Sequence, residues 1–475
     1  MIEKISKSQV LERIKFENGW WVDGQIDDDY NSMQRRLYFE IFKPMVFEKE
    51  IKRAVVLMGP RRVGKTVMLH QSIQELINEG VSPHKIIFIT VENPIYTNIG
   101  LEELFKMALE AQGIKDYKNY YVFFDEIQYL KDWEIHLKTL VDSYRSCKFI
   151  VSGSAAAALK FKSNESGAGR FTDFLLPPLT FYEYIHINKL ENIMYPSSIK
   201  WKNQDVSFYD TTQPDVLNEH FIKYINFGGY PEIIFSERMQ KNPGRYIKQD
   251  IVDKVLLRDL PSLYGINDVQ ELNRLFTTIC FNTAHEFDYE DLSRKSGVQK
   301  HLIKKYIDYL ASAFLVKKIS RVDQSGKQFK REVKFKMYLS NPSLYAALFA
   351  PIKITDENRM GDMIETAIYA QWMHREWFEP YYARWKNGEV DMVGIDETNL
   401  KPIWALEIKW SDRYFEKMKE LKSLIKFCRE NKLTSALVTT IKIKDIKEID
   451  GIKIQFVPAA TYAYNVGKNT LDKKM

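Results

Sequence analysis

The chain has 475 residues, enough for about three domains at roughly 150 residues each, and 45% of them are apolar, ample for a core. No apolar run approaches the ~18 residues of a membrane span, which argues against a membrane partner, and Met1–Lys7 leads into mixed charge rather than a signal peptide. Three scattered cysteines (Cys147, Cys280, Cys428) and eight histidines without ligand spacing exclude a disulfide framework and a zinc site, so a reducing, cytoplasmic setting is expected. The net charge of +6 is unevenly distributed: Arg294 to Lys336 holds thirteen Lys or Arg against three acids, so the remainder is net negative.

Residues 1–50 carry little pattern beyond an amphipathic stretch at 33–42, expected as a helix docked before the first strand. The apolar run 53–58 suits a buried strand and leads into Gly59-Pro60-Arg61-Arg62-Val63-Gly64-Lys65-Thr66, which fits the P-loop template. Residues 67–73 then open a segment with helical spacing. The glycines allow a tight turn whose N–H groups point at phosphate, and the helix adds its positive amino end. Lys65 is expected on the β- and γ-phosphates and Thr66 on Mg²⁺, making ATP and Mg²⁺ the expected cofactors.

Beyond the P-loop, strands at 85–90, 120–128 and 148–154 alternate with helices at 101–112 and 133–145, the pattern of a parallel sheet covered on both faces. Asp125 and Glu126 end the middle strand as a Walker B pair, Asp125 supporting Mg²⁺ and Glu126 polarising the attacking water. Ser152 and Ser154 end the next strand, where they position that water, sense the γ-phosphate, or simply form the turn.

Gly-Pro-Arg-Arg-Val-Gly-Lys-Thr, Phe-Phe-Asp-Glu-Ile-Gln, Val-Ser-Gly-Ser-Ala, Gly169-Arg170-Phe171 and Pro178-Leu179-Thr180-Phe181-Tyr182-Glu183-Tyr184 occur in that order. This set resembles the prokaryotic AAA-type ATPases that carry a C-terminal domain of unknown function resembling restriction endonucleases, over most of residues 30–460. The resemblance implies that Arg170 senses the γ-phosphate. Residues 185–215 read as a connector. Residues 216–280 read as helical, broken at Phe227-Gly228-Gly229-Tyr230-Pro231-Glu232 as in that family, and would form the helical lid over the nucleotide.

The basic stretch begins with a short helix at 288–295 capped by Asp288, a turn at 296–298, and a second helix from Gln299 to Phe314. Strands at 315–322 and 328–339 around the turn 323–327 complete a winged helix-turn-helix. Lys300, Lys304, Lys305, Lys327, Lys330 and Arg331 are candidate DNA-phosphate contacts, or else a solvated face on a bridging module.

The last section reads as a helix at 362–377 carrying Glu365, strands at 381–385, 389–393 and 403–410, a long helix at 414–429 and a strand at 436–439. That order resembles the PD-(D/E)xK nuclease core, and Asp391 with Glu407-x-Lys409 resembles its motif. Residues two apart on a strand share a face, so Glu407 and Lys409 project together. Asp391 and Glu407 would chelate Mg²⁺, Glu365 would be the helix acid, and Lys409 would steady the attacking water.

The expected fold is therefore α/β: a P-loop AAA-type domain (1–184), connector and lid (185–280), winged helix-turn-helix (281–345) and a restriction-endonuclease-like domain (346–475). The expected function is ATP hydrolysis coupled to DNA binding and metal-dependent DNA cleavage. The alternative is an ATP-dependent switch or scaffold for protein partners or further copies of itself.

Overall fold

The computed structural model describes residues 6–153, 169–202, 204–329 and 333–475. The chain divides into two compact units, residues 1–177 with Met475, and residues 178–474.

In the first unit, β1 (Ala54–Met58), β2 (Ile86–Thr90), β3 (Tyr121–Asp125), β4 (Lys148–Gly153) and β5 (Phe171–Leu175) pair in parallel, in the order β2-β3-β4-β1-β5. Ala54–Met58 is buried throughout, as expected of a strand covered on both faces. The register sets Met58 beside Gly153 and Thr90 beside Asp125. The carboxyl ends of β1, β3 and β4 thus share one edge, where open α/β sheets bind their ligands.

The amino-terminal residues do more than dock. A helix at Lys7–Glu17, started by a Ser6/Gln9 capping box, delivers Asn18 to the edge strand β2. Asn18 Nδ2 donates to Phe88 O at 2.8 Å and its Oδ1 accepts from Phe88 N at 2.7 Å. A side-chain amide thereby completes the pairing that an edge strand otherwise leaves open. The helix expected at 33–42 forms instead at Phe39–Phe47.

The second unit holds a nine-stranded sheet. It contains β8 (Glu286–Asp288), β9 (Val316–Val322), β10 (Lys334–Leu339), β11 (Tyr381–Trp385), β12 (Gly388–Ile395), β13 (Pro402–Glu407), β14 (Ser435–Thr440), β15 (Asp445–Ile449) and β16 (Ile452–Pro458). Their order is β15-β16-β14-β13-β12-β11-β9-β10-β8. A parallel pairing, Tyr382 with Arg321 and Ala383 with Val322, joins β11 to β9. The strands expected on either side of a 345/346 boundary thus belong to one sheet. On one face, Leu424, Phe427 and Cys428 of the helix Lys422–Glu430 pack on Val393, Ala405, Val438 and Phe456.

Between residues 286 and 339, β8 leads into the helix Tyr289–Ser296, whose N-cap Asp288 accepts from the amides of Glu290 and Asp291. Gly297, at φ 71°, turns the chain into the helix Lys300–Ser312. Strand β10 pairs antiparallel with both β8 and β9.

Several expected boundaries move. Helix Phe181–Ile187, capped by Thr180 and Glu183, belongs to the second unit, so the division falls at 177/178 rather than 184/185. It lies against the helix Ala459–Lys474, where a Cβ on Gly467 would stand 3.1 Å from Thr180 Cβ and 3.2 Å from Tyr182 Cβ. The connector at 185–215 contains a hairpin, β6 (Tyr195–Trp201) and β7 (Gln204–Asp210). The helix expected at 414–429 breaks into Arg413–Glu416, a 3₁₀ turn at Met418–Glu420, and Lys422–Glu430, with Arg413 Nε bonded to Glu420 across the break. The helix bearing Glu365 runs Glu357–Trp372.

Candidate functional site

The P-loop follows β1 directly. Gly64 has φ 95°, the left-handed region that a side chain disfavours, and begins the helix Lys65–Asn78. A Cβ on Gly59 would lie 2.1 Å from Leu176 O, so only glycine lets the loop pass the end of β5. Pro60 and Val63 are buried, and Arg62 is exposed. Arg61 donates to the Tyr129 hydroxyl at 2.9 Å. The loop is clasped from behind by buried Arg36, whose guanidinium donates to Val63 O at 2.9 Å and Pro177 O at 3.0 Å. Nothing in residues 1–50 had marked Arg36; a buried arginine at a loop's carbonyls carries no periodic signal.

Lys65 is buried, its ammonium donating to Gly59 O at 3.1 Å and Pro60 O at 2.9 Å. Thr66 Oγ1 donates to Asp125 Oδ2 at 2.7 Å, and Ser152 Oγ donates to Asp125 Oδ1. Ser152 also accepts from the Glu126 amide at 3.4 Å. Ser152 therefore orients the strand-end aspartate, which narrows the role expected of it; Ser154 lies outside the described residues. Burial, with Glu126 adding repulsion, raises the Asp125 carboxyl to about 6, against the opposing pull of Ser152, Thr66 and Lys65. Glu126 takes a left-handed backbone, φ 54°, and its carboxylate accepts from Gln128 Nε2 at 2.5 Å. The oxygens of Thr66 and Asp125 are hard ligands that suit Mg²⁺.

Arg170 does not join this site. Its carbonyl accepts from the Ala54 amide at the amino end of β1 and β5, and its guanidinium pairs with Asp142 at 3.2 Å. The five residues of β5 separate it from the carboxyl edge of the sheet by about 17 Å at ~3.3 Å per residue, too far to sense a γ-phosphate bound at that edge.

In the second unit, antiparallel pairing of Met392 with Leu406 and Val393 with Ala405 sets Asp391 across from Glu407 on one face. The structure brings Asp391, Glu407 and Lys409 together. Lys409 Nζ lies 3.2 Å from Asp391 Oδ2 and 2.8 Å from Glu407 Oε1. The Ile408 amide donates to Asp391 Oδ2 at 2.8 Å. Thr439 of β14 fixes the Lys409 backbone, accepting from its N–H at 2.7 Å and donating to its carbonyl at 2.8 Å. Glu407 Oε2 is buried without a hydrogen-bond partner among the described residues.

Glu365 enters from the helix Glu357–Trp372, and sequence reasoning missed most of what surrounds it. Lys336 of β10 is buried, bonding Glu365 at 2.8 Å and Glu389 of β12 at 2.6 Å. The Tyr338 hydroxyl donates to Glu365 at 2.5 Å, Arg384 pairs with Glu389 at 2.8 Å, and the Tyr369 hydroxyl donates to the Asp391 carbonyl at 2.6 Å. A signal was available: Glu389 precedes Asp391 by two, Lys336 and Tyr338 alternate on one strand, and Tyr369 follows Glu365 by one helical turn.

Burial raises Glu365 to about 7, against Lys336 and with Asp391 adding repulsion. Burial and Asp391 likewise raise Glu407 to about 7. Burial works on Asp391 in the same direction, but Lys409, Lys336 and the Ile408 amide hold it below the usual carboxylate range. Among the described residues no group of three His, Cys, Asp or Glu is placed to hold a metal ion, and two ammonium groups stand between the acids.

The basic stretch is partly consumed internally. Arg294 and Lys295 pair with Asp291, Arg321 and Lys334 with Glu286, and Lys336 is buried among acids. Lys300, Lys304, Lys305 and Lys327 are exposed, although Lys300 meets Glu290 at 3.1 Å. Lys330 and Arg331 lie outside the described residues.

With this geometry in view, residues 51–185 match the model of an AAA domain. Over that stretch the chain is similar to AAA domains. Residues 218–358 match a domain of unknown function, DUF8612, and neither matched stretch reaches the Asp391–Lys409 cluster. MJ1544 of Methanocaldococcus jannaschii, described as uncharacterized, is 24% identical over 399 residues, 82% of each chain. MJ1637 of the same organism, also described as uncharacterized, is 23% identical over 350 residues, covering 72% of this chain and 70% of its own. The ORC2 protein of Aeropyrum pernix, a solved structure, is 12% identical with a TM-score of 0.37 over 71% of this chain and 94% of its own, too distant to add to the AAA match. Among the described residues no helix is long and apolar enough to cross a membrane.

Proposed function

We propose that the chain hydrolyses ATP at the Lys65–Asp125–Glu126 site and uses nucleotide state to control DNA bound by a winged helix-turn-helix at 286–339. In this reading the acid cluster cleaves the phosphodiester backbone with a divalent cation. The observation that carries it is the convergence of Asp391, Glu407 and Lys409, with Glu365 alongside, on a helix-strand-strand-strand-helix-strand frame that resembles the PD-(D/E)xK core.

No three of these acids surround a cation as they stand, but their chemistry suits a hard one: the carboxylates are buried, and Glu407 Oε2 has no hydrogen-bond partner among the described residues. Asp391 and Glu407 would hold the ion, with Glu365 nearby. A bound cation would supply Lewis-acid stabilisation of charge on phosphate. Lys409, anchored through Thr439, orients the nucleophilic water and offsets the repulsion between the two acids. At the P-loop, Thr66 and Asp125 would hold Mg²⁺, Lys65 binds phosphate, and Glu126 polarises water. The helical segments from 214 to 281 are read as the lid. The test is cleavage of supercoiled, linear and single-stranded DNA by the whole chain in Mg²⁺ or Mn²⁺, with and without ATP.

One observation favours a second reading. Buried ammonium groups already meet the acids, as in a structural ion-pair network. The domain would then bind DNA or a protein partner as a scaffold, and no cation would alter it.

A further inference from the structure

Lys336 is an unusual member of the acid cluster. Its strand, β10, is hydrogen-bonded on one side to β8 and on the other to β9, the strands that bracket the two helices of the basic module. Its side chain is 4% exposed, yet it reaches two carboxylates on different elements, Glu365 of the helix Glu357–Trp372 and Glu389 of β12. Glu389 is further held by Arg384, and Glu365 by Tyr338. The cluster thus sets four carboxylates (Glu365, Glu389, Asp391, Glu407) against two ammonium groups (Lys336, Lys409). Lys409 sits on the Asp391–Glu407 side and Lys336 on the Glu365–Glu389 side.

The two lysines differ in what supports them. Lys409 follows β13 and is tied to β14 through Thr439, so it belongs to the frame that carries Asp391 and Glu407. Lys336 comes from the basic module and joins helix and strand acids that would otherwise repel across a buried gap. A divalent cation bridging acids from helix and strand would do the same electrostatic work.

We propose that Lys336 is the resident counter-cation of the acid cluster: a divalent cation held by Asp391 and Glu407 must draw Glu365 away from it, so the strand behind the helix-turn-helix sets the cluster's readiness for metal. This rests on the metal-site reading of Asp391 and Glu407 given above. Lys336 is a positioning residue here, acting through the acids rather than on a substrate.

The experiment is a Mn²⁺ titration of the full chain without nucleotide, following the thermal midpoint, for wild type, Lys336→Met, Lys336→Arg and Asp391→Ala. Lys336→Met is expected to melt lower than wild type without metal and to recover with Mn²⁺, its half-effect at roughly tenfold lower Mn²⁺ because Lys336 no longer competes for Glu365 while Lys409 is unchanged. Lys336→Arg, which keeps the charge, is expected to titrate like wild type. If Asp391→Ala removes the wild-type Mn²⁺ response but Lys336→Met responds at the same or higher Mn²⁺, the metal site stands and the displacement idea falls. Loss of stability in Lys336→Met that Mn²⁺ does not restore makes Lys336 purely structural and overturns the proposal. A Mn²⁺ response unaltered by Asp391→Ala removes the metal-site reading itself, and the proposal with it.

Discussion

Thr66 Oγ1 donates to Asp125 Oδ2 over 2.7 Å, joining the end of the P-loop to the end of β3 before any ligand is considered. The parallel register of β1, β4 and β3 makes this contact, since it brings Met58, Gly153 and the strand-end Asp125 to one edge. Ser152, on the strand between them, holds the other carboxylate oxygen. The side chains proposed to hold the cation are therefore prearranged by the sheet.

Lys65 and Glu126 should fail differently when removed. Lys65→Ala is expected to abolish ATP binding, because it deletes the ammonium proposed to bind phosphate. Glu126→Gln should keep ATP affinity within a few-fold and lower turnover by about 10²-fold or more, since the carboxylate acts mainly in the transition state. Equilibrium binding of a fluorescent ATP analogue and phosphate release, measured on both variants, check this. Wild-type turnover in Glu126→Gln would remove Glu126 from the assignment.

His70, on the P-loop helix, stacks on Tyr30 with ring centroids 4.1 Å apart and an interplanar angle of 3°. Burial depresses it from 6.5 to about 4, with Asp27 opposing weakly. The unfolded chain then binds the extra proton between these values. The contribution is fully present above about pH 6.5 and is lost as pH falls toward 4, amounting to roughly 3 kcal/mol at most. His70→Phe should flatten that part of the stability profile, as urea unfolding at pH 5 and 7.5 would show; an unchanged slope would mean that His70 titrates normally.

Lys300, Lys304 and Lys305 are the exposed cations of the helix Lys300–Ser312. Reversing all three to Glu should weaken DNA binding and reduce the log–log salt slope by roughly one unit per lost contact, with ATPase activity retained. Fluorescence anisotropy across a salt series measures it. An unchanged slope would return this helix to a solvated face.

Much of the frame was legible because its signals are local. The P-loop, the Asp125-Glu126 strand end and the Asp288-capped helix are each written in consecutive residues, and the Asp391–Glu407 juxtaposition follows from strand period plus pairing. What escaped was tertiary. Asn18 closes β2 through Phe88, and Asn465 closes β7 by the same two bonds to Tyr209, 2.7 and 2.8 Å, from positions 70 and 256 residues away in the chain. The hairpin β6–β7 was hidden because most of its residues are at least partly exposed, leaving no alternation to read. Arg170 was carried by resemblance, and strand direction put it at the wrong end of the sheet. Charge counting overstated the basic stretch, because it cannot distinguish Lys304 in solvent from Lys336 among buried acids.

The central claim is that Asp391, Glu407 and Lys409 form a cation-dependent cleavage site in an ATP-hydrolysing chain. The most direct measurement compares DNA nicking by wild type and Asp391→Ala in Mn²⁺, with phosphate release from ATP followed in the same samples. The account predicts nicking by wild type alone and equal ATP hydrolysis by both. Equal nicking by the two proteins, or none by wild type with any DNA form in Mg²⁺ or Mn²⁺, with or without ATP, would contradict it.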